Sequence, residues 1–307
     1  MKNMESLISK DKPFDYDIMQ ETLLKLKRKY HFLEVGSIGN SLLGRSIPIV
    51  TIGNGTKSAL YIGSHHGMEW ITSALLVGFI NDFCYDFTNG NTISEISCRV
   101  LFETRKIYII PILNPDGVDY AINGLRDDNP LKDRVLKMNG GSSDFSHWQA
   151  NARGVDLNHN YDSGFWEYKI VERDASLFDG APTKFSGEHP ESEPETHALC
   201  NFVRFKKPDI ALSLHTQGEE IYYTSGDKSP NCSLSIAKTI SRLTGYRISF
   251  PTGTAKYGGF TDWFIESFER PSFTLECGKG VNPLPFSNYD EIYYRIKRAL
   301  FTLPVLI

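Results

Sequence analysis

The segment Gly63-Ser64-His65-His66-Gly67-Met68-Glu69-Trp70 joins the end of an apolar run to the start of a helical pattern. His66 and Glu69 are three residues apart, a spacing that lets an imidazole and a carboxylate converge on one ion. His215 follows a second apolar run, residues 210–214, and offers a third ligand. Two histidines and one glutamate leave a fourth position open for water, which is the pattern of a catalytic zinc site. The alternative is that each histidine is a hydrogen-bonded residue at a strand end. Glu276, within Thr274-Leu275-Glu276-Cys277-Gly278, lies in or ends a buried strand, where a carboxylate is costly unless it is paired or functional. It is either the base that takes a proton from a water at the metal or half of a buried ion pair with an arginine. In Gly154-Val155-Asp156-Leu157-Asn158-His159-Asn160, Asp156 could accept the second ring N–H of a zinc histidine, and Asn158 and His159 could bind a polar group of a substrate. The alternative there is a plain turn.

These residues need elements to position them. Residues 58–63 read as a buried strand, followed by a helix over residues 71–87 whose apolar side chains recur at three and four. Residues 106–113 read as a second buried strand, stopped by the turn signal Asn114-Pro115-Asp116-Gly117. Ser192-Glu193-Pro194-Glu195 has the form of a capping box opening a helix that ends before Pro208. Residues 210–214 and 271–277 are further strands. Residues 232–243, stopping at Gly245, and 289–303 are helices. Strands alternating with helices imply an α/β sheet covered on both faces. A helix over residues 16–30 precedes two short segments around Gly39-Asn40-Ser41-Leu42-Leu43-Gly44-Arg45, which read as a hairpin and make the sheet mixed. Residues 121–184 are polar and rich in Gly, Asn and Asp, a loop excursion whose length points to function or disorder. No linker divides the chain, so residues 1–307 read as one domain with a helical lead-in over about 1–35.

Composition narrows the classes. The chain has 40% apolar and 23% charged residues, near the average for a soluble globular protein. Its 33 basic and 37 acidic residues give a net charge of −4, against the basic excess of a nucleic-acid protein. No apolar run approaches the length of about 20 residues that a membrane helix needs. The start, Met1 to Asp17, has no basic-then-apolar leader. The cysteines, Cys84, Cys98, Cys200, Cys232 and Cys277, are odd in number and widely spaced, so a disulfide framework is not expected and the cytoplasm fits best.

Together the motifs resemble the zinc carboxypeptidase family. In order, they are Gly39-x-Ser41-x-x-Gly44-Arg45, His66-x-x-Glu69-Trp70, Asn114-Pro115-Asp116-Gly117, Gly154-Val155-Asp156-Leu157-Asn158, Ser192-Glu193-Pro194-Glu195-Thr196, Ser213-Leu214-His215 and Phe273-Thr274-Leu275-Glu276. The resemblance implies one zinc ion held by His66, Glu69 and His215, Glu276 as catalytic base, and Asp156 as the partner of His66. It also implies a mixed, mostly parallel eight-stranded sheet flanked by helices.

The departures bear on substrate. Where the family's carboxypeptidases have an arginine that holds the substrate's terminal carboxylate, this chain has His159 after Asn158. Gln149 follows Trp148 where the resemblance implies an arginine that polarises the scissile carbonyl, and Met68 replaces another before Glu69. The substrate-covering tyrosine has no aligned match, with Tyr257 nearby, three residues closer to Gly258-Gly259. These losses speak against ordinary carboxypeptidase action. Trp148-Gln149-Ala150-Asn151-Ala152-Arg153-Gly154 and the Gly-Glu-Glu after His215-Thr216-Gln217 are similar to the γ-D-glutamyl-L-diamino acid peptidases, a bacterial branch. That branch cuts murein peptides between D-glutamate and diaminopimelate. On this reading the substrate is a small murein-derived peptide, and Arg153 supplies the lost contact to a carbonyl or carboxylate, with a surface salt bridge as its alternative. A carboxypeptidase or amidase on another substrate, or a catalytically silent peptide-binding protein, are the competing readings.

Overall fold

The apolar, β-branched runs become the middle of one large sheet. The computed structural model describes residues 7–8 and 11–307, so much of the amino-terminal stretch read for a leader lies outside the described residues. Ten strands are described: β1 (Glu34–Asn40), β2 (Ser46–Ile52), β3 (Lys57–Ile62), β4 (Thr92–Ile93), β5 (Ile96–Ser97), β6 (Arg105–Ile110), β7 (Ile210–His215), β8 (Glu220–Tyr222), β9 (Arg247–Ile248) and β10 (Ser272–Glu276). Eight of them form a sheet in the order β1-β2-β6-β3-β7-β10-β8-β9, and β4 and β5 form a separate hairpin. The central strands β6, β3, β7 and β10 run parallel to one another. β1 and β2 form the expected antiparallel hairpin at one edge, and β8 pairs antiparallel with β10.

Among the described residues ten helices surround it: α1 (Tyr16–Lys29), α2 (Ile71–Asn89), α3 (Cys98–Thr104), α4 (Pro115–Asn123), α5 (Lys132–Met138), α6 (Phe165–Asp174), α7 (Pro194–Lys206), α8 (Ser233–Thr244), α9 (Phe260–Phe268) and α10 (Tyr289–Thr302). Successive side chains of a strand point to opposite faces. Ala59 and Tyr61 of β3 therefore join one core with Leu75 and Phe79 of α2, Ile236 of α8 and Ile296 of α10. Leu60 and Ile62 join another with Leu199 and Val203 of α7 and Phe260 and Phe264 of α9. Burial on both faces explains why β3 and β7 read as unbroken apolar runs.

Three expectations are corrected. Asn114-Pro115-Asp116-Gly117 is the start of α4 rather than a plain turn: the Asn114 side chain accepts from the Gly117 amide at 2.9 Å, and Pro115 takes the first helical position. The capping box does not form. Glu193 takes the N-cap position of α7 without a side-chain capping bond, and the Ser192 hydroxyl donates to Glu193 Oε1 at 2.8 Å instead of accepting from a helix amide. The excursion over residues 121–184 is folded, carrying α5 and α6 and a short 3₁₀ turn, Leu157–His159. Its Val135, Phe145 and Trp148 form a small core with Tyr120 of α4. Strands β8 and β9, the β4–β5 hairpin, α3 and α9 are short or irregular in pattern and were not anticipated from the sequence.

Candidate metal centre

β3, β7 and β10 are parallel, so their carboxyl ends share one edge of the sheet, where ligand sites of α/β sheets form. Beyond β3, the chain turns through a 3₁₀ turn, Gly67–Glu69, preceded by His66. In a 3₁₀ turn residues three apart eclipse one another. His66 Nδ1 accordingly lies 2.9 Å from Glu69 Oε1. The turn requires a glycine at position 67, because a Cβ there would stand 2.3 Å from the Gly117 carbonyl oxygen. The Gly67 amide donates to the Gln149 carbonyl at 2.9 Å, tying the turn to the loop behind it.

His215, the last residue of β7, closes the group. Its Nδ1 is 3.0 Å from Glu69 Oε2 and 3.3 Å from His66 Nδ1. All three side chains are buried, and together they form the one potential metal cluster among the described residues. Burial alone would raise the Glu69 carboxyl, but the two imidazoles outweigh it and hold the group ionised. Two imidazole nitrogens facing each other beside one carboxylate need a proton or a cation between them. A tetrahedral ion with bonds of about 2.0–2.2 Å sets its ligand atoms about 3.3–3.6 Å apart. The two ring nitrogens, 3.3 Å apart, have that spacing, and each faces a different oxygen of the Glu69 carboxylate, at 2.9 and 3.0 Å, so the donor set fits zinc.

The surroundings orient the ligands. Asp156, fully buried, places Oδ1 3.2 Å from His66 Nε2, close enough for charge attraction although the ring nitrogen makes no aligned hydrogen bond. Asp156 also accepts from the Lys184 amide at 3.0 Å. Burial opposes its ionisation, yet His66 and His159 outweigh burial and hold it below the usual carboxylate range. His65 is not a ligand. Its Nε2 meets the Tyr161 hydroxyl at 3.0 Å and its Nδ1 the Ser213 hydroxyl at 3.1 Å, while its ring stacks on His215 at 5.2 Å.

Glu276 ends β10 beside His215. It makes no ion pair among the described residues, so the alternative of an arginine partner falls away. Burial, with the Glu69 charge adding to it, pushes its carboxyl well above the usual range. Glu276, His66 and His215 line one cavity of about 220 Å³, together with Gln149, Asn158 and His159. Asn158 Oδ1 accepts from the Phe260 amide at 3.1 Å. His159 stacks face to face on Tyr168 at 4.2 Å, and its Nδ1 meets the Tyr257 carbonyl at 2.8 Å. A carbonyl can only accept, so Nδ1 carries the hydrogen there. Burial lowers the His159 pKa, which favours the neutral ring.

Two residues expected in the site are not brought to it. Arg153 forks onto Glu193, with Nε 2.8 Å from Oε2 and a terminal nitrogen 2.7 Å from Oε1, and it lines a different cavity. Glu193 is fully buried and needs this partner. Tyr257 gives the site its carbonyl, while its ring lies toward Tyr168, 6.3 Å between centroids, outside the cavity lining. The sequence reading missed Lys184, Thr183, Thr261 and Asp262, which do line the cavity. Nothing in their local sequence sets them apart from ordinary loop or helix residues.

Comparison with known proteins agrees with this geometry. The profile of the family described as zinc carboxypeptidase matches residues 19–291. The chain is 37% identical to the γ-D-glutamyl-L-diamino acid endopeptidase 1 of Lysinibacillus sphaericus, over 94% of this chain and 71% of that protein. The fold is similar to carboxypeptidase A from Helicoverpa armigera, with a TM-score of 0.75 and 18% identity over 99% of this chain and 76% of that one. It is also similar to a murein-tripeptide amidase from Escherichia coli O157, with a TM-score of 0.53 and 18% identity over 87% of this chain and 90% of that one.

Proposed function

The chain belongs to the zinc carboxypeptidase family, and on that premise we propose that it hydrolyses the γ-D-glutamyl–diaminopimelate bond of murein peptides, with zinc held by His66, Glu69 and His215. The observation that carries the substrate is the identity, along nearly the whole chain, to a relative named for that bond. The cavity fits the same reading, since no arginine lines it to grip a terminal carboxylate.

Zinc held by His66, Glu69 and His215 would supply Lewis acidity toward a water and the scissile carbonyl. Glu276, at the edge of the cavity beside His215, takes the proton from the attacking water and returns it to the departing amino group. The carbonyl carbon gains the oxygen and loses the nitrogen, giving a γ-carboxylate on D-glutamate and a free diamino acid. Gln149 replaces Arg153 as the residue assigned to the developing negative charge. Its Oε1 already accepts from the Thr183 hydroxyl at 2.8 Å, which leaves the amide N–H₂ as a donor in the cavity. Asp156 keeps the His66 ring oriented.

We place this action in the cytoplasm as one domain. All five cysteines are free and four are buried, which suits a reducing compartment. Among the described residues no helix is long and apolar enough to cross a membrane. The test is incubation of the zinc-loaded protein with L-Ala-γ-D-Glu-diaminopimelate and mass analysis of the products. L-Ala-D-Glu and free diaminopimelate are expected. Faster cleavage of a blocked ordinary L-dipeptide with a free carboxyl end would return the protein to the general carboxypeptidases.

A further inference from the structure

Murein peptides carry free carboxylates, and the family's usual arginine for such a group is His159 here, a ring that burial favours in its neutral form. The arginines of the polar excursion do not replace it. Arg153 is forked onto Glu193, Arg134 is paired with Asp179 at 2.8 Å, and Arg126 lies 3.6 Å from Asp128. One lysine or arginine lines the cavity, and it is Lys184.

The backbone at Lys184 is unusual. Its φ is +66°, in the left-handed region that side chains other than glycine rarely adopt. Two hydrogen bonds hold it there, and both lead into the site. Its amide donates to Asp156 Oδ2 at 3.0 Å, and Asp156 faces His66 through its other oxygen. Its carbonyl accepts from the Tyr168 hydroxyl at 2.8 Å, and the Tyr168 ring is the one stacked on His159. Strained backbone of this kind persists where surrounding contacts over-determine it, and such places cluster at ligand sites. The Lys184 side chain is exposed at the cavity and makes no ion pair among the described residues. Most other surface cations of this loop region are matched to an acid, and this one is left for an incoming anion.

We propose that Lys184 is the residue that binds a free carboxylate of the substrate, in place of the arginine that this chain lacks. The inference rests on the reading of the substrate as a murein peptide and adds the group that recognises it. An ammonium is a compact charge on a flexible stem, so it selects for negative charge more than for the planar geometry that a guanidinium demands. His159, which lines the same cavity, can add a neutral polar contact. The carboxylate comes either from the α-carboxyl of D-glutamate or from diaminopimelate.

The experiment measures binding without turnover. The Glu276→Gln protein, loaded with zinc, is titrated calorimetrically with three tripeptides: L-Ala-γ-D-Glu-diaminopimelate, the same peptide amidated at the D-glutamate α-carboxyl, and the same peptide amidated on diaminopimelate. One amidation is expected to weaken binding by about tenfold, as loss of a charge-assisted hydrogen bond gives, and it identifies the carboxylate held. Adding Lys184→Met should bring that ratio close to one, and adding Lys184→Arg should keep it. The same amidation cost with Lys184→Met as without it, or no cost from either amidation, overturns the proposal. Hydrolysis by the unmodified protein is scored separately: a tripeptide that binds with a Lys184-dependent ratio but is never cut upholds the anchor and overturns the reaction.

Discussion

Glu276 stands beside His215 in the parallel register of β10 on β7, and the Cys277 amide donates to the His215 carbonyl at 2.7 Å. The group read as the base and one ligand of the metal are thus strand-end neighbours. Their separation is set by the sheet rather than by flexible loops.

This rigid placement makes Glu276→Gln a clean test. The side chain has no ion-pair partner among the described residues, so the amide can occupy the same place without leaving another charge exposed to the core. Turnover on the tripeptide should fall by at least about a hundredfold, the cost of losing a general base. Zinc content, measured by atomic absorption, should stay at one ion per chain. Near-normal turnover would mean that another group takes the proton.

Zinc should stabilise the fold through its three buried ligands. A ligand that binds only the folded state adds about 2.7 kcal/mol when present at a hundred times its dissociation constant. Adding zinc to the chelated protein should therefore raise the melting temperature by several degrees. His215→Ala should abolish that rise, because it removes the ligand from β7. A melting curve indifferent to zinc in the unaltered protein would count against the centre.

Glu195 predicts a pH effect away from the centre. The residue is fully buried beside Glu193, accepting from the Leu42 amide at 3.0 Å. Burial raises its carboxyl to about 7, despite that amide bond. The native state then holds the proton more tightly than the unfolded chain, whose carboxyl has the ordinary value of 4.5. Stability from this group is present below the unfolded value and is lost as pH rises through 7, by about 3 kcal/mol at most. Chemical denaturation at pH 6 and pH 8 should show the protein less stable at pH 8. Glu195→Gln should shrink that difference, and an unchanged difference would assign it to other groups.

Gly67 lies between two of the ligands, and the close approach of the Gly117 carbonyl leaves no room for a methyl group. In Gly67→Ala the turn must move, and His66 and Glu69 move with it. Zinc affinity should drop by at least about tenfold, in the range seen when groups that orient metal ligands are altered. A competition titration against a chelator measures this. Wild-type affinity would show that the turn tolerates the shift.

The readable part of this protein was local. A 3₁₀ turn makes His66 and Glu69 converge through a spacing of three, which lies within one turn of backbone and needs no distant partner. The apolar runs of β3 and β7 announce strands buried on both faces, and strand ends are where sites form. His215 and Glu276 could be picked out for that reason. The tertiary structure decided what the long polar side chains do. Arg153 and Lys184 both lie in a hydrophilic loop region and look alike in sequence. Arg153 turns to Glu193 because that carboxylate, fully buried at the head of α7, has to be neutralised. Lys184 is left at the cavity because its backbone is pinned to Asp156 and Tyr168. The same competition undid the capping box, since Ser192 is drawn into the Glu193 cluster. Where a flexible charged side chain goes depends on which opposite charge is buried within its reach, and that is set by folding segments far apart in the chain.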